Sequence, residues 1–343
     1  MKAAVLSAPG VVEVKDVPEP ECPSGGALVR TVACAVCPSD IKMARAGHRD
    51  LTYPRILGHE VVGRVVASRS PNVDVGDLVQ IWPGIACGTC PSCRTGRDNL
   101  CDRQGIIGFN ADGGFAELMA VPAGTVGRAG VNVLPEGADA AMATLAEPLG
   151  CCVHGQQAVR LGPGDRVAVH GGGPMGLMHI ALAVAAGASV LVAEPIEARR
   201  ELAMTMGAER AVDPLAEDVE AAIMDWSDGR GADVALLATP QVKVSDDLLR
   251  GMASGGRLCL FSGLPRGGSE VRCDINLVHY RELTIVGAYG CTSGSNARAV
   301  ELLSGGKVDL SPLITRRMAL GAVEQAFKMI EDREALKCVI TEF

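Results

Sequence analysis

With 343 residues, 48% of them hydrophobic and 21% charged, the chain is long enough for two domains and apolar enough to fill their cores, which excludes extended disorder. A formal charge of −8 and an isoelectric point of about 5.4 argue against a nucleic-acid or anionic-membrane partner, because the basic residues are scattered rather than striped. No signal-peptide core and no apolar run of membrane-span length is present, so a soluble, cytoplasmic protein is expected, and its thirteen cysteines read as metal ligands or small buried hydrophobes rather than disulfides.

Up to about Gly130 the chain offers short strand-like runs at Ala3–Leu6, Val11–Val14, Ala27–Ala33, Val61–Ala67, Asp77–Trp82 and Phe115–Val121. Few stretches have helical period, so a β-rich domain is expected there. Val61 to Ile81 reads as an antiparallel pair joined through Ser68–Gly76, where Pro71 and Asn72 form the turn.

Two short motifs within this segment carry candidate chemistry. Cys37-Pro38-Ser39-Asp40 and Gly58-His59-Glu60 together offer a thiolate, an imidazole and a carboxylate, a set suited to zinc with one position left open. Their separation does not by itself bring them together. Cys87, Cys90, Cys93 and Cys101 give a sharper signal: four thiols within fifteen residues, with Gly88, Pro91 and Gly96 to let the chain wrap, fit a closed four-thiolate structural zinc site. An iron–sulfur cluster or redox disulfides compete with that reading, but no electron partner stands nearby. Glu147-Pro148-Leu149 closes the segment, and taken alone Glu147 is a solvated residue at a helix start.

Val167 to Glu194 then reads as one strand-turn-helix-strand unit. Gly171, Gly173 and Gly176 have the G-x-G-x-x-G spacing, which gives a tight turn, a bare backbone for a pyrophosphate and close helix packing. The pyrophosphate is expected on the helix N-terminus around Pro174 and Met175. Glu194, eighteen residues past Gly176, can accept from a ribose 2′-OH and would repel a 2′-phosphate, so NAD is favoured over NADP. Arg199 and Arg200 pull the other way.

Regular alternation continues with strands at Ala211–Val212, Asp233–Ala238, Leu258–Phe261 and Leu283–Ala288, and helices at Glu197–Met206, Leu215–Trp226 and Val242–Ala253. This is the pattern of a doubly wound parallel sheet. Past Gly290, helices at Ala297–Leu303 and Ala322–Glu331 and a last strand at Lys337–Phe343 make a tail too short for a domain, expected to pack on the first segment. Cys151, Cys152, Cys259, Cys273, Cys291 and Cys338 read as packing residues.

The order of these motifs, with Asp112–Glu117 (D-G-G-F-A-E) and the closing run from Ser304–Lys307 through Ala335–Lys337, resembles the zinc-dependent medium-chain dehydrogenase/reductase superfamily, in its polyol, sugar and threonine dehydrogenase branch. The resemblance implies an α/β chain with a β-rich GroES-like catalytic domain (1–150 and 291–343) and a Rossmann NAD-binding domain (151–290). It implies that Cys37, His59 and Glu60 are catalytic zinc ligands, that Glu147 binds the metal directly, through water, or touches substrate, and that Asp40 orients His59. Pro38 departs from the usual Gly, and Lys42 stands where many relatives carry a relay histidine, so the proton would leave through Ser39, the cofactor ribose, and Lys42 or water.

The expected reaction is hydride transfer between a secondary alcohol and NAD, with zinc as a Lewis acid on the substrate oxygen. Only ten aromatic residues occur, which disfavours a pocket for a large apolar alcohol, although Trp82, Phe109 and Tyr53 are available to line one. A small hydroxylated substrate such as a polyol, sugar or cyclitol suits a carboxylate-rich site. Threonine or another amino alcohol is the alternative within the same chemistry, and a nucleotide-binding protein without turnover is the alternative outside it. A homodimer or homotetramer is expected from the resemblance.

Overall fold

The computed structural model describes residues 1–264 and 267–343. The chain divides into two compact units, Met1–Gly150 with Cys291–Phe343, and Cys151–Gly290. No helix among the described residues is long and apolar enough to cross a membrane.

The first unit is built on a seven-stranded sheet. Val131–Val133, Leu78–Ile81, Glu60–Ser68, Ala27–Ala35, Lys337–Glu342 and Ile314–Ala319 lie in that order, and Leu118–Val121 also pairs with Ala27–Ala35. Glu60–Ser68 and Leu78–Ile81 are antiparallel neighbours, with Val61 opposite Ile81. Lys337–Glu342 runs antiparallel to Ala27–Ala35, so the tail contributes a central strand. Alternation buries Ala27, Val29 and Thr31 on one side of Ala27–Ala35, and from Ala33 to Ala35 both sides are covered. A smaller sheet pairs Lys2–Ala8 with Val11–Asp16 and Arg55–Ile56. Helix Val323–Glu331 from the tail packs Phe327 against Phe115, ring centroids 6.1 Å apart. Both rings are buried, and truncating either costs about 3–5 kcal/mol.

Two helices here lack an obvious periodic signature. Pro38–Ala46 is started by Pro38 at its first position, where a missing N–H is no loss, and by Asp40, whose carboxylate reaches back to the backbone N–H of Cys37 at 3.0 Å. Ala146–Ala158 carries Glu147 in its first turn. Taken alone Glu147 reads as solvated, and that local reading fails: the helix start is correct, but the side chain is buried, the position in which the family resemblance expects a carboxylate near the metal.

The second unit is a six-stranded parallel sheet in the order Arg210–Val212, Ser189–Ala193, Arg166–His170, Ala232–Leu237, Met252–Leu260 and Thr284–Gly287. Read by position in the chain this is 3-2-1-4-5-6, the order of the doubly wound dinucleotide fold. Two helix expectations fall short. The helix expected from Leu215 starts at Val219, because the Asp218 carboxylate caps the N–H of Ala221 at 3.0 Å. That expected over Val242–Ala253 is confined to Asp246–Arg250, capped by Ser245, and Met252 already opens the next strand. Gly255 at φ +74° and Gly256 interrupt that strand's apolar run, so only its end was legible. Helix Ile275–Tyr280 and strand Ile314–Ala319 carry no clear period and were not expected.

Candidate metal centre and cofactor loop

In the first unit, donor atoms of Cys37, His59 and Glu60 lie within 4.8 Å of one another. Three local structures bring them there: Cys37 caps helix Pro38–Ala46, His59 follows Gly58 at φ +94°, and Glu60 opens a strand paired to Ala35. Gly58 is confined on both counts, since a Cβ there would also meet the Cys34 sulfur at 2.7 Å.

Asp40, fully buried, sets the ring of His59. Its Oδ1 lies 3.0 Å from His59 Nδ1 and accepts the N–H of Gly58 at 3.3 Å, which directs the other ring nitrogen away from Asp40. Burial works against charge on the imidazole, but Asp40 and Cys37 more than offset it and raise its pKa well above the ordinary value. The Ser39 hydroxyl donates to the Cys37 sulfur at 3.0 Å. Lys42 lies on the exposed face of the same helix. Glu147 is pushed up to about 7 by burial, with His59, Glu60 and Lys337 as its charged neighbours.

Two partners of this cluster escaped the sequence reading. Lys337, on the last strand, is buried and donates to both carboxylate oxygens of Glu60. Cys291 donates through its sulfur to Glu147 Oε1 at 3.7 Å, so it does more than pack. A lysine inside a buried apolar strand, Lys337-Cys338-Val339-Ile340, was a visible signal for the first; nothing local marked the second. Trp82 is buried in the core, its Nε1 donating to the carbonyl of Cys291 at 3.1 Å, whereas Tyr53 is exposed and Phe109 stands edge-on between the rings of His48 and His59.

The donor set fits zinc. A soft thiolate, an imidazole with its far nitrogen oriented, and carboxylates are the ligand types of an open catalytic site. Buried Asp40, Glu60 and Glu147 face the His59 imidazole and the Lys337 ammonium, so once the imidazole is neutral, as a metal ligand must be, a dication would restore the balance.

Cys87, Cys90, Cys93 and Cys101 also bring their sulfurs within 4.8 Å of one another, with Cys87 and Cys93 4.0 Å apart. A tetrahedral four-thiolate zinc needs sulfurs about 3.8 Å apart. Backbone N–H groups of Cys90 and Cys87 point at the sulfurs of Cys87 and Cys101 at 3.4 and 3.3 Å, stabilising thiolate charge. None of the four is in a disulfide. Arg128 donates to the carbonyl of Cys93 at 2.9 Å, and Asp98 binds Ser293, which anchors the lobe at both sides.

In the second unit Gly171 has φ +101°, and a Cβ on Gly176 would lie 1.8 Å from the Gly171 carbonyl oxygen. Only glycine permits this approach. Gly173 precedes helix Pro174–Ala185 with no side-chain cap and Pro174 at the first position, so the N–H groups of the first turn are left without a side-chain acceptor at the favourable end of the dipole. Buried Glu194 accepts the N–H of Gly172 at 2.6 Å through one oxygen and that of Ile196 at 3.0 Å through the other. Arg199 passes close to Gly173, whereas Arg200 is engaged by the carbonyls of Glu194 and Pro195, each at 2.8 Å. A bare loop, an uncapped helix start and an acid at the end of the second strand fit a dinucleotide.

Fold and donor set together define an alcohol oxidoreductase built from a β-rich unit and a nucleotide-binding sheet. Residues 23–136 match the family described as alcohol dehydrogenase GroES-like domain, and residues 174–305 match zinc-binding dehydrogenase. The chain is 35% identical to L-threonine 3-dehydrogenase of Pyrococcus horikoshii, covering 99% of this chain and 98% of that protein. It is 32% identical to L-galactonate-5-dehydrogenase of Escherichia coli, over 92% and 91% of the two chains. A crystal structure of a zinc-binding dehydrogenase from Sinorhizobium meliloti 1021 bound to NADP is 30% identical, with a TM-score of 0.90 over 99% of this chain and 98% of that one. The chain belongs to the zinc-dependent medium-chain dehydrogenase superfamily, and its activity is that of a zinc-dependent alcohol or polyol dehydrogenase.

Proposed function

We propose that this protein oxidises a secondary alcohol of a polyol, sugar or cyclitol, with NAD as hydride acceptor and zinc held by Cys37 and His59 together with Glu60 or Glu147. The observation that carries this reading is the carboxylate-rich cluster, in which Glu60 shares the donor set and Glu147 adds a second buried acid. Zinc bound there supplies a Lewis acid for the substrate oxygen, and bound nicotinamide takes the hydride.

The chain's own residues do the rest. Asp40 fixes the imidazole of His59, and Glu147 offers a carboxylate to metal or to a neighbouring substrate hydroxyl. The Ser39 hydroxyl, which donates to the Cys37 sulfur, would accept the substrate proton at its oxygen and hand its own proton on toward a bound cofactor's ribose. Its exit runs through Lys42 or water. The four-cysteine lobe holds a second, closed zinc that shapes the fold and touches no substrate.

Gly171, Gly173, Pro174, Met175 and Gly176 would cradle the pyrophosphate, and Glu194 would bind the adenosine ribose. Preference for NAD follows from Glu194 and from the engagement of Arg200; Arg199 would contact the adenosine side. Oxidation of L-threonine or another amino alcohol is the second reading, favoured by the match to the Pyrococcus horikoshii enzyme.

Metal analysis with NADH and NADPH formation across polyols, aldoses, cyclitols, threonine and simple alcohols tests all of this. Two zincs per chain and one preferred hydroxylated substrate are expected. Full activity in a Cys37→Ala variant would sink the zinc mechanism.

A further inference from the structure

Lys337 is 2% exposed, on a strand whose neighbours Cys338, Val339 and Ile340 are wholly buried. Its ammonium donates to both carboxylate oxygens of Glu60 and, at 3.2 Å, to the carbonyl of Val36. An ammonium has three donors, so its capacity is filled. Glu60 is itself wholly buried and belongs to the donor set with Cys37 and His59. This carboxylate therefore stands between Lys337 and any cation that Cys37 and His59 hold.

We propose that Lys337 is a positioning residue that competes with the metal for Glu60 and keeps this carboxylate an exchangeable ligand rather than a fixed one. The proposal rests on the zinc reading above. Two effects act with the same sign. Drawing Glu60 toward a metal weakens a buried, hydrogen-bonded ion pair, and a buried ammonium repels a dication through a medium that screens poorly. Both lower the cluster's hold on its metal. The return is a coordination position that stays open to a substrate oxygen.

Chelator competition on the full-length protein loaded with Zn2+ tests this, the Cys37→Ser variant identifying which of the two metals belongs to the cluster. Lys337→Met is expected to hold that metal at least tenfold more tightly, about 1.4 kcal/mol. With Co2+ in place of Zn2+, the ligand-field bands should shift as Glu60 enters coordination. Adding Glu60→Gln to Lys337→Met should abolish the band shift and leave only the part of the tightening that comes from removing the ammonium's repulsion. Because Lys337→Met strands a buried carboxylate in the metal-free protein, Lys337→Gln, which keeps a donor toward Glu60 and Val36, supplies a second comparison and should tighten binding severalfold. Glu60→Gln alone should alter retention by less than about threefold.

Unchanged or weaker retention in a folded Lys337 variant overturns the proposal. So does a tenfold loss in Glu60→Gln, which would make Glu60 a fixed ligand already. A wild-type metal count that Cys37→Ser leaves unchanged overturns the zinc reading and the proposal with it, which separates the two failures.

Discussion

Asp98, inside the four-cysteine lobe, accepts two hydrogen bonds from Ser293: one from the backbone N–H at 3.0 Å and one from the hydroxyl at 2.5 Å. Ser293 opens helix Ser293–Ser304, and the preceding Cys291 touches Glu147. The lobe is thus tied to the segment that packs against the acidic cluster. Asp98→Ala leaves the four thiols intact but strips this buried tie, so it should cost about 2–3 kcal/mol while the lobe keeps its metal. Urea unfolding with a metal count checks it.

Asp40→Ala removes the acceptor that orients His59 and also releases the N–H groups of Cys37 and Gly58. Loss of such a partner typically costs ten- to a hundredfold in metal affinity. The expected result is loss of the cluster's zinc at chelator concentrations that leave the four-cysteine zinc in place.

Glu194 has a double load, since its two oxygens already hold the N–H groups of Gly172 and Ile196. Glu194→Ala should therefore raise KM for NAD by tenfold or more, about 1.4 kcal/mol, and narrow the gap between NAD and NADP. Steady-state kinetics with both cofactors decides; equal KM values in wild type and variant would remove Glu194 from the ribose site.

Burial pushes His170 down to about 4 and His179 down to about 3. Both would titrate near 6.5 once unfolded. The unfolded chain therefore binds protons that the folded one refuses, and stability is complete above about 6.5 and lost as pH falls toward those values, by about 1.4 kcal/mol per pH unit for each histidine. His179→Leu should flatten this acid limb. Gln156, which now faces the ring at 3.3 Å, keeps its bond to the backbone carbonyl of residue 179 at 2.8 Å. Urea midpoints between pH 4 and 7 for variant and wild type provide the measurement, and parallel curves would show that His179 is not the source.

What was legible in the sequence was local. Gly171, Gly173 and Gly176 announce their turn because each acts within a few residues, and Cys87 to Cys101 announce a lobe for the same reason. The parallel sheet showed through its alternation of strand and helix. Helix Pro38–Ala46 did not, because its few apolar residues give it little period. The hidden parts of the metal cluster depend on long-range contacts. The Glu147-Pro148-Leu149 motif by itself reads as solvated, and only the family resemblance pointed Glu147 at the metal, while Lys337 reaches Glu60 across 277 residues of chain. Cys291 reaches Glu147 across 144. Nothing in the spacing of such residues encodes that they meet.

The central strand Lys337–Glu342 also sets an order of events during synthesis. Residues 151–290 form a unit from one continuous segment and can close as soon as they leave the ribosome, as domains commonly do. The other unit cannot, because its sheet lacks an interior strand until Lys337–Glu342 has emerged. Until then Glu60 has no ammonium to answer it, so a nascent chain that captured zinc early would hold it with Glu60 uncontested. The cluster is thus completed only after the second unit has been made, when Lys337–Glu342 pairs beside Ala27–Ala35.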